Sequence, residues 1–142
     1  MFVDASAIVA LIDEEPGYEE IEKRLRAATG PFYVSPLVRF EATIGLARKK
    51  SASGKKSEKL FATMITQSRA TVDQFIGELG AEDVDISREI GGGAIAACAK
   101  YGKAVGHPAN LNFGDCFAYA CAKIRGVDLI YKGNDFTLTD LA

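Results

Sequence analysis

Apolar residues recur along this chain in two rhythms, short runs of β-forming residues and longer stretches at helical spacing, and the two alternate from end to end. Phe2 and Val3 open a short buried strand that reaches Asp4. Ala5 to Ile12 is a helix rich in alanine, isoleucine and leucine, and Pro16-Gly17 stops it. Tyr18, Ile21, Leu25 and Ala28 line one side of an amphipathic helix. Gly30-Pro31 breaks the chain before a second strand, Phe32 to Val34. Ser35-Pro36 then caps and starts a third helix, Leu37 to Lys50, with Leu37, Phe40, Ile44 and Ala47 as its apolar stripe. A long helix from Ser57 to Leu79 presents Leu60, Met64, Ile65, Val72, Phe75, Ile76 and Leu79, and Gly80 ends it. Ala81 to Ile86 reads as a third strand, and Ser87 caps a helix through Lys100.

The strongest helical pattern begins at Leu111-Asn112. Phe113, Phe117, Ala120, Cys121 and Ile124 form its apolar face, Asn112 is its N-cap and Asp115 lies in its first turn. Gly126 stops it, Val127 to Lys132 is a fourth strand, and Gly133-Asn134-Asp135 is a turn. Alternating strands and helices predict an α/β domain, 1–142, with a short, mainly parallel sheet of four or five strands and a ligand site beyond the strands' carboxyl ends.

Composition changes this picture little. The 142 residues are 48% hydrophobic and 25% charged with a net charge of −2, ordinary for one soluble domain and without a global basic field to attract nucleic acid. Cys98, Cys116 and Cys121 have no CxxC spacing and read as reduced core residues of a cytoplasmic protein. No stretch matches a signal peptide or a membrane span. Gly91-Gly92-Gly93 lies inside a helix, the wrong context for a dinucleotide fingerprint, and is expected to serve close helix packing. His107 has no second histidine or cysteine pair with which to complete a zinc site.

Four acids stand at comparable joints. Asp4 ends the first strand, Glu41 sits at the edge of a buried helix face, Asp115 begins the central helix and Asp135 follows the last strand. Three have a structural use as an alternative: Asp115 in a capping box, Glu41 paired with Arg48 or another base, and Asp135, with Asn134, in a turn. Ser6 either caps the first helix or bonds whatever Asp4 binds. Brought to one rim, four carboxylates stay charged only with cations between them, and their hard oxygens select Mg²⁺, or Mn²⁺ as a substitute. Such a site cleaves phosphodiesters. The one dense basic segment, including Arg48, Lys49, Lys50, Lys55 and Lys56, is either a solvated helix end or a contact for phosphates or an acidic partner.

The opening Phe-Val-Asp-Ala-Ser-Ala-Ile-Val-Ala, the Phe40-Glu41 helix, Leu111-Asn112-Phe113-Gly114-Asp115-Cys116 and Tyr131-Lys132-Gly133-Asn134-Asp135-Phe136 resemble the PIN-domain ribonucleases, specifically VapC-type toxins of bacterial toxin–antitoxin pairs. The resemblance spans nearly the whole chain. It implies a PIN-like three-layer α/β/α sandwich and an Mg²⁺-dependent endoribonuclease. It also implies an acidic quartet of Asp4, Glu41, Asp115 and Asp135 supported by Ser6 and Asn134, an RNA substrate, a cognate antitoxin and a homodimer. Three other readings are a housekeeping PIN-type nuclease, an aspartate-nucleophile phosphatase, and a binding module whose acids are only caps and salt bridges. The phosphatase needs a second Asp where this chain has Ser6.

Overall fold

The computed structural model describes residues 1–51 and 58–142. Four two-residue strands, β1 (Phe2–Val3), β2 (Tyr33–Val34), β3 (Glu82–Asp83) and β4 (Leu129–Ile130), form one sheet in the order β3-β2-β1-β4, with every pairing parallel. Between them run α1 (Ala5–Ile12), α2 (Tyr18–Ala27), α3 (Pro36–Ser51), α4 (Glu58–Leu79), α5 (Arg88–Tyr101) and α6 (Phe113–Arg125), with a short 3₁₀ turn at Lys103–Val105.

Strand order dictates the layers. The path β1, β2, β3 moves steadily one way, so right-handed crossovers put α1 to α4 on one face, whereas the return from β3 to β4 puts α5 and α6 on the other. Packing follows this division: α1 rests on α2, α3 and α4, and α5 lies along α6, which covers β1 and β4. The strand order reverses between β1 and β4, and a crevice opens beyond their carboxyl ends.

The strands are short but deeply placed. Phe2, Val3, Val34, Leu129 and Ile130 are buried, and burial of such side chains stabilises by about 1.5–3 kcal/mol each. The Asp4 amide donates to the Ile130 carbonyl (2.9 Å), which fixes the end of β1 against the end of β4. At the other edge Arg39 donates from Nε and Nη2 to the Asp83 carboxylate (both 2.8 Å) and from Nη1 to Asp73 (2.9 Å), tying β3 to α3 and α4. The third strand is shorter than Ala81 to Ile86, with Val84 buried and Ile86 exposed.

Two helices turn differently from their apolar patterns. In α3 the buried positions are Val38, Ala42, Thr43, Leu46 and Ala47, while Phe40 is 65% exposed. Phe40 and Ile44 instead border a shallow 340 Å³ cleft shared with Ile65 and Arg69 of α4. In α6 the buried set is Gly114, Cys116 and the run Ala118 to Ala122, while Phe113 and Ile124 are exposed. A helix lying between a sheet and another helix places small residues on both packed sides and large ones at the rim. Of the three glycines in α5, Gly93 meets α6, where an added Cβ would lie 3.2 Å from Ala120 Cβ and Ile124 Cδ1; Gly91 and Gly92 have open space. In α4, Val72 and Ile76 are buried, but Leu60 is exposed. Cys116 and Cys121 are buried, Cys98 is half-buried, and all three are free thiols.

Candidate active site

Each acid reaches the crevice from a different element. Asp4 follows β1 and caps α1 itself: its Oδ2 accepts from the Ser6 amide (2.9 Å) and from the Ser6 hydroxyl. The cap is therefore Asp4, and Ser6 does not cap but braces it. Ser6 Oγ also accepts from the Lys132 amide (3.0 Å), which joins the first acid to the chain leaving β4. Asp4 is 5% exposed. Burial raises its carboxyl above the usual range and the Asp135 charge adds to this, while bonds from Ser6 and Ala5 oppose it.

Glu41, one turn into α3, is half-buried, and its carboxyl is raised to about 7, first by burial and then by the charges of Asp4 and Asp115. The base pairing considered for it is not made: among the described residues no lysine or arginine forms an ion pair with Asp4, Glu41, Asp115 or Asp135. The Glu41 carboxylate lies against the start of α6, where the bare Cα of Gly114 makes room for it; a Cβ at that position would collide with Oε1 and Oε2.

Asp115 forms the expected capping box. Its Oδ2 accepts from the Asn112 amide (2.8 Å), and its own amide donates to Asn112 Oδ1 (3.1 Å). Capping does not exhaust the residue, because burial raises its carboxyl to about 6 against the pull of the Asn112 bond, with Asp4 and Asp135 adding repulsion. Asp135 is exposed, in a turn where Gly133 takes φ +97°, a conformation that favours glycine. The Asn134 carbonyl accepts from the Thr137 amide (3.1 Å) and hydroxyl (2.7 Å), shaping the same turn.

Asp4 and Asp115 thus lie within electrostatic range of each other, of Glu41 on one side and of Asp135 on the other. Among the described residues no three His, Cys, Asp or Glu side chains stand close enough together to hold a metal ion as they are placed. Like charges keep apart unless a cation lies between them. Beside the acids is a 240 Å³ cavity bordered by Ser6, Glu15, Glu41, Gly45 and Lys132. Gly114 and Lys132 were not among the expected site residues: nothing local marks the glycine that admits Glu41, or the lysine amide that meets Ser6 across the sheet.

The basic segment is divided. Arg48, Lys49 and Lys50 are exposed in the last turn of α3, and Lys49 Nζ pairs with Asp13 (2.9 Å) and with Glu15. Lys55 and Lys56 lie outside the described residues. His107 Nδ1 accepts from the Ala109 amide (3.1 Å) and its ring meets Tyr101 edge-on, a loop-shaping role.

With this geometry in view, the whole chain can be set beside known proteins. The PIN domain family model matches residues 1–141. A VapC ribonuclease of Rhizobium meliloti (strain 1021) is 54% identical over 141 residues, covering 99% of this chain and 98% of that protein. The chain belongs to the PIN-domain family of VapC ribonucleases. Ribonuclease VapC30 of Mycobacterium tuberculosis is 34% identical over 148 residues, covering 100% of this chain and 96% of its own. Among solved structures, M. tuberculosis VapC20, described as a sarcin-ricin loop cleaving toxin, superposes with a TM-score of 0.70 at 15% identity, covering 99% of this chain and 95% of that one. A toxin–antitoxin complex from Klebsiella pneumoniae gives 0.63 at 18% identity, with 98% and 92% covered. These two show the shared fold, and the relatives of higher identity show the VapC family. No helix among the described residues is long and apolar enough to cross a membrane.

Proposed function

We propose that this chain is a divalent-metal-dependent endoribonuclease and the toxin of a toxin–antitoxin pair, with Asp4, Glu41, Asp115 and Asp135 as its working carboxylates. The observation that carries the reading is the gathering of acids from four separate elements at the β1/β4 switch point, where burial and then neighbouring carboxylates raise Asp4, Glu41 and Asp115, and where none of the four acids has an ion-paired base among the described residues. Acids serving only in salt bridges would each have a basic partner. Here Asp4 and Asp115 are bonded only by uncharged donors, and the charges that act on Asp4, Glu41 and Asp115 are those of other carboxylates.

The donor set fits a hard divalent cation. Its atoms are carboxylate oxygens, which favour Mg²⁺ with Mn²⁺ as a substitute over softer metals, and the missing side chain at Gly114 lets the Glu41 carboxylate approach the start of α6, which bears Asp115. When bound, the ion activates water and neutralises charge on the phosphate. Asp4 and Asp115 act as the principal ligands, and Glu41 and Asp135 complete the set. Ser6 keeps one Asp4 oxygen oriented, and the Asn112 amide does the same for Asp115. Glu41, raised to about 7, holds its proton in part at neutral pH and would give it up to bind a cation, whereas Asp115, raised to about 6, is already mostly ionised there. Arg48, Lys50, Lys55 and Lys56 contact phosphates or an acidic segment of the antitoxin, and Lys49 joins them when it leaves Asp13 and Glu15. The exposed Phe40, Ile95 and Phe113 offer apolar surface to the antitoxin and to a second copy of the chain.

The test has two arms. Purified protein should cut RNA in Mg²⁺ or Mn²⁺ and stop in EDTA; no cleavage with either ion, or cleavage indifferent to EDTA, refutes the metal reading. Expression alone should arrest growth, and co-expression of the adjacent reading frame's product should relieve it. Cleavage in vitro without arrest in cells would favour a housekeeping nuclease.

A further inference from the structure

We propose that Tyr119, Lys123 and Asp140 form a positioning clamp that sets the placement of Asp135 relative to Asp115 and thereby tunes the metal affinity of the site. The inference rests on the metal-site reading above. It starts from α6, which carries Asp115 in its first turn and then Tyr119 and Lys123 on successive turns, four and eight residues on. Tyr119 Oη donates to Asp140 Oδ1 (2.6 Å), and Lys123 Nζ donates to Asp140 Oδ2 (2.9 Å), so both oxygens of that carboxylate are held by the helix that bears Asp115. Tyr119 is itself 8% exposed, with its ring 5.6 Å from that of Tyr101. It is a rigid post.

Asp140 belongs to the segment of tight turns that contains Asp135. The Thr137 amide donates to the Asn134 carbonyl (3.1 Å), the Thr139 amide (3.1 Å) and hydroxyl (2.8 Å) donate to the Phe136 carbonyl, and the Leu141 amide donates to Thr139 Oγ1 (3.2 Å). Overlapping hydrogen-bonded turns therefore run from Asn134 to Leu141 without a break. From the opposite side Phe136 is buried, with its ring 4.9 Å from that of Tyr131 just beyond β4. The segment is thus held to β4 at Phe136 and to α6 at Asp140. Asp135 needs both holds: it is exposed, it carries the same charge as Asp4 and Asp115, and repulsion alone would move it out of the crevice. With the clamp, a single helix presents one acid and restrains another.

Tyr119 and Asp140 act through Asp135, so the test must separate positioning from folding. Mn²⁺ affinity would be titrated on the purified full chain, alongside thermal denaturation without metal, for Tyr119→Phe, Lys123→Gln, Asp135→Asn and the Asp135→Asn/Tyr119→Phe pair. Tyr119→Phe keeps the ring and removes the hydroxyl, and Lys123→Gln changes an exposed position. The expected loss of Mn²⁺ affinity is roughly three- to tenfold for Tyr119→Phe, smaller than the ~10–100-fold for a group bonded directly to a ligand. Lys123→Gln should move affinity the same way, and Tyr119→Phe should add nothing once Asp135 is already Asn. Unchanged Mn²⁺ affinity with a lowered melting temperature would mean a mere tail anchor and overturn the proposal. So would an equal loss in the Asp135→Asn background. Wild-type protein that binds no Mn²⁺ would sink the metal-site reading itself, and the clamp with it.

Discussion

Replacing Glu41 with glutamine should make the ion-free protein more stable while weakening ion binding. The Glu41 carboxyl sits at about 7 in the folded chain against an ordinary 4.5, because it is half-buried and faces the charges of Asp4 and Asp115. As pH rises from about 4.5 to about 7, the unfolded chain releases this proton before the folded one does. Unfolding free energy therefore falls across that window, and the whole penalty is present above it. Unscreened, the difference corresponds to ~3 kcal/mol at about 1.36 kcal/mol per pH unit. Glu41 is partly exposed, so solvent screening reduces this to ~1–2 kcal/mol. Glutamine keeps the shape and removes the charge. In EDTA at pH 7.5 the Glu41→Gln melting temperature should exceed that of the wild type by ~4–8 °C, at roughly 4 °C per kcal/mol for a chain of this size. At pH 5, where the folded wild type already holds the proton, the gap should shrink to about a quarter. Millimolar Mg²⁺ should then stabilise the wild type more than the variant, because an ion that binds only the folded state adds stability according to its occupancy. The reasoning fails if Glu41→Gln is no more stable than the wild type at pH 7.5 without metal, or if the gap does not change with pH.

Asp115→Asn keeps an oxygen for the Asn112 amide, so its ion-free melting temperature should hold or rise while RNA cleavage falls by at least ~100-fold; wild-type cleavage would leave Asp115 as a cap alone. Gly114→Ala places a methyl against the Glu41 carboxylate, the movable end of a flexible side chain. Stability should change by less than about 1 kcal/mol while Mn²⁺ affinity drops, as titration of the folded variant would show. Ser68 is fully buried in α4 with its hydroxyl unpartnered, so Ser68→Ala should raise stability by about 1 kcal/mol in urea denaturation without altering cleavage.

Much of the framework was legible in the sequence because its signals are local. Ser35, Ser87 and Asn112 accept from backbone amides three residues ahead, and Gly126 takes the left-handed conformation that ends α6. Strand–helix alternation orders the elements, and the place of Asp4 and Asp135 just past strand ends follows from that order in a parallel sheet. Which side of α3 and of α6 is buried did not follow. Phe40 and Phe113 fit apolar stripes at helical spacing yet stand exposed, because the opposing surfaces come from segments remote in the chain and admit small residues at the contact. The same distance hid Lys49 between Asp13 and Glu15, Gly114 beneath Glu41, and Asp140 held by Tyr119 and Lys123. Periodicity and capping are written within one or two turns of chain. Contacts across 17 to 126 residues, such as Lys123 with Asp140 and Lys132 with Ser6, exist only once strand order has brought their backbones together.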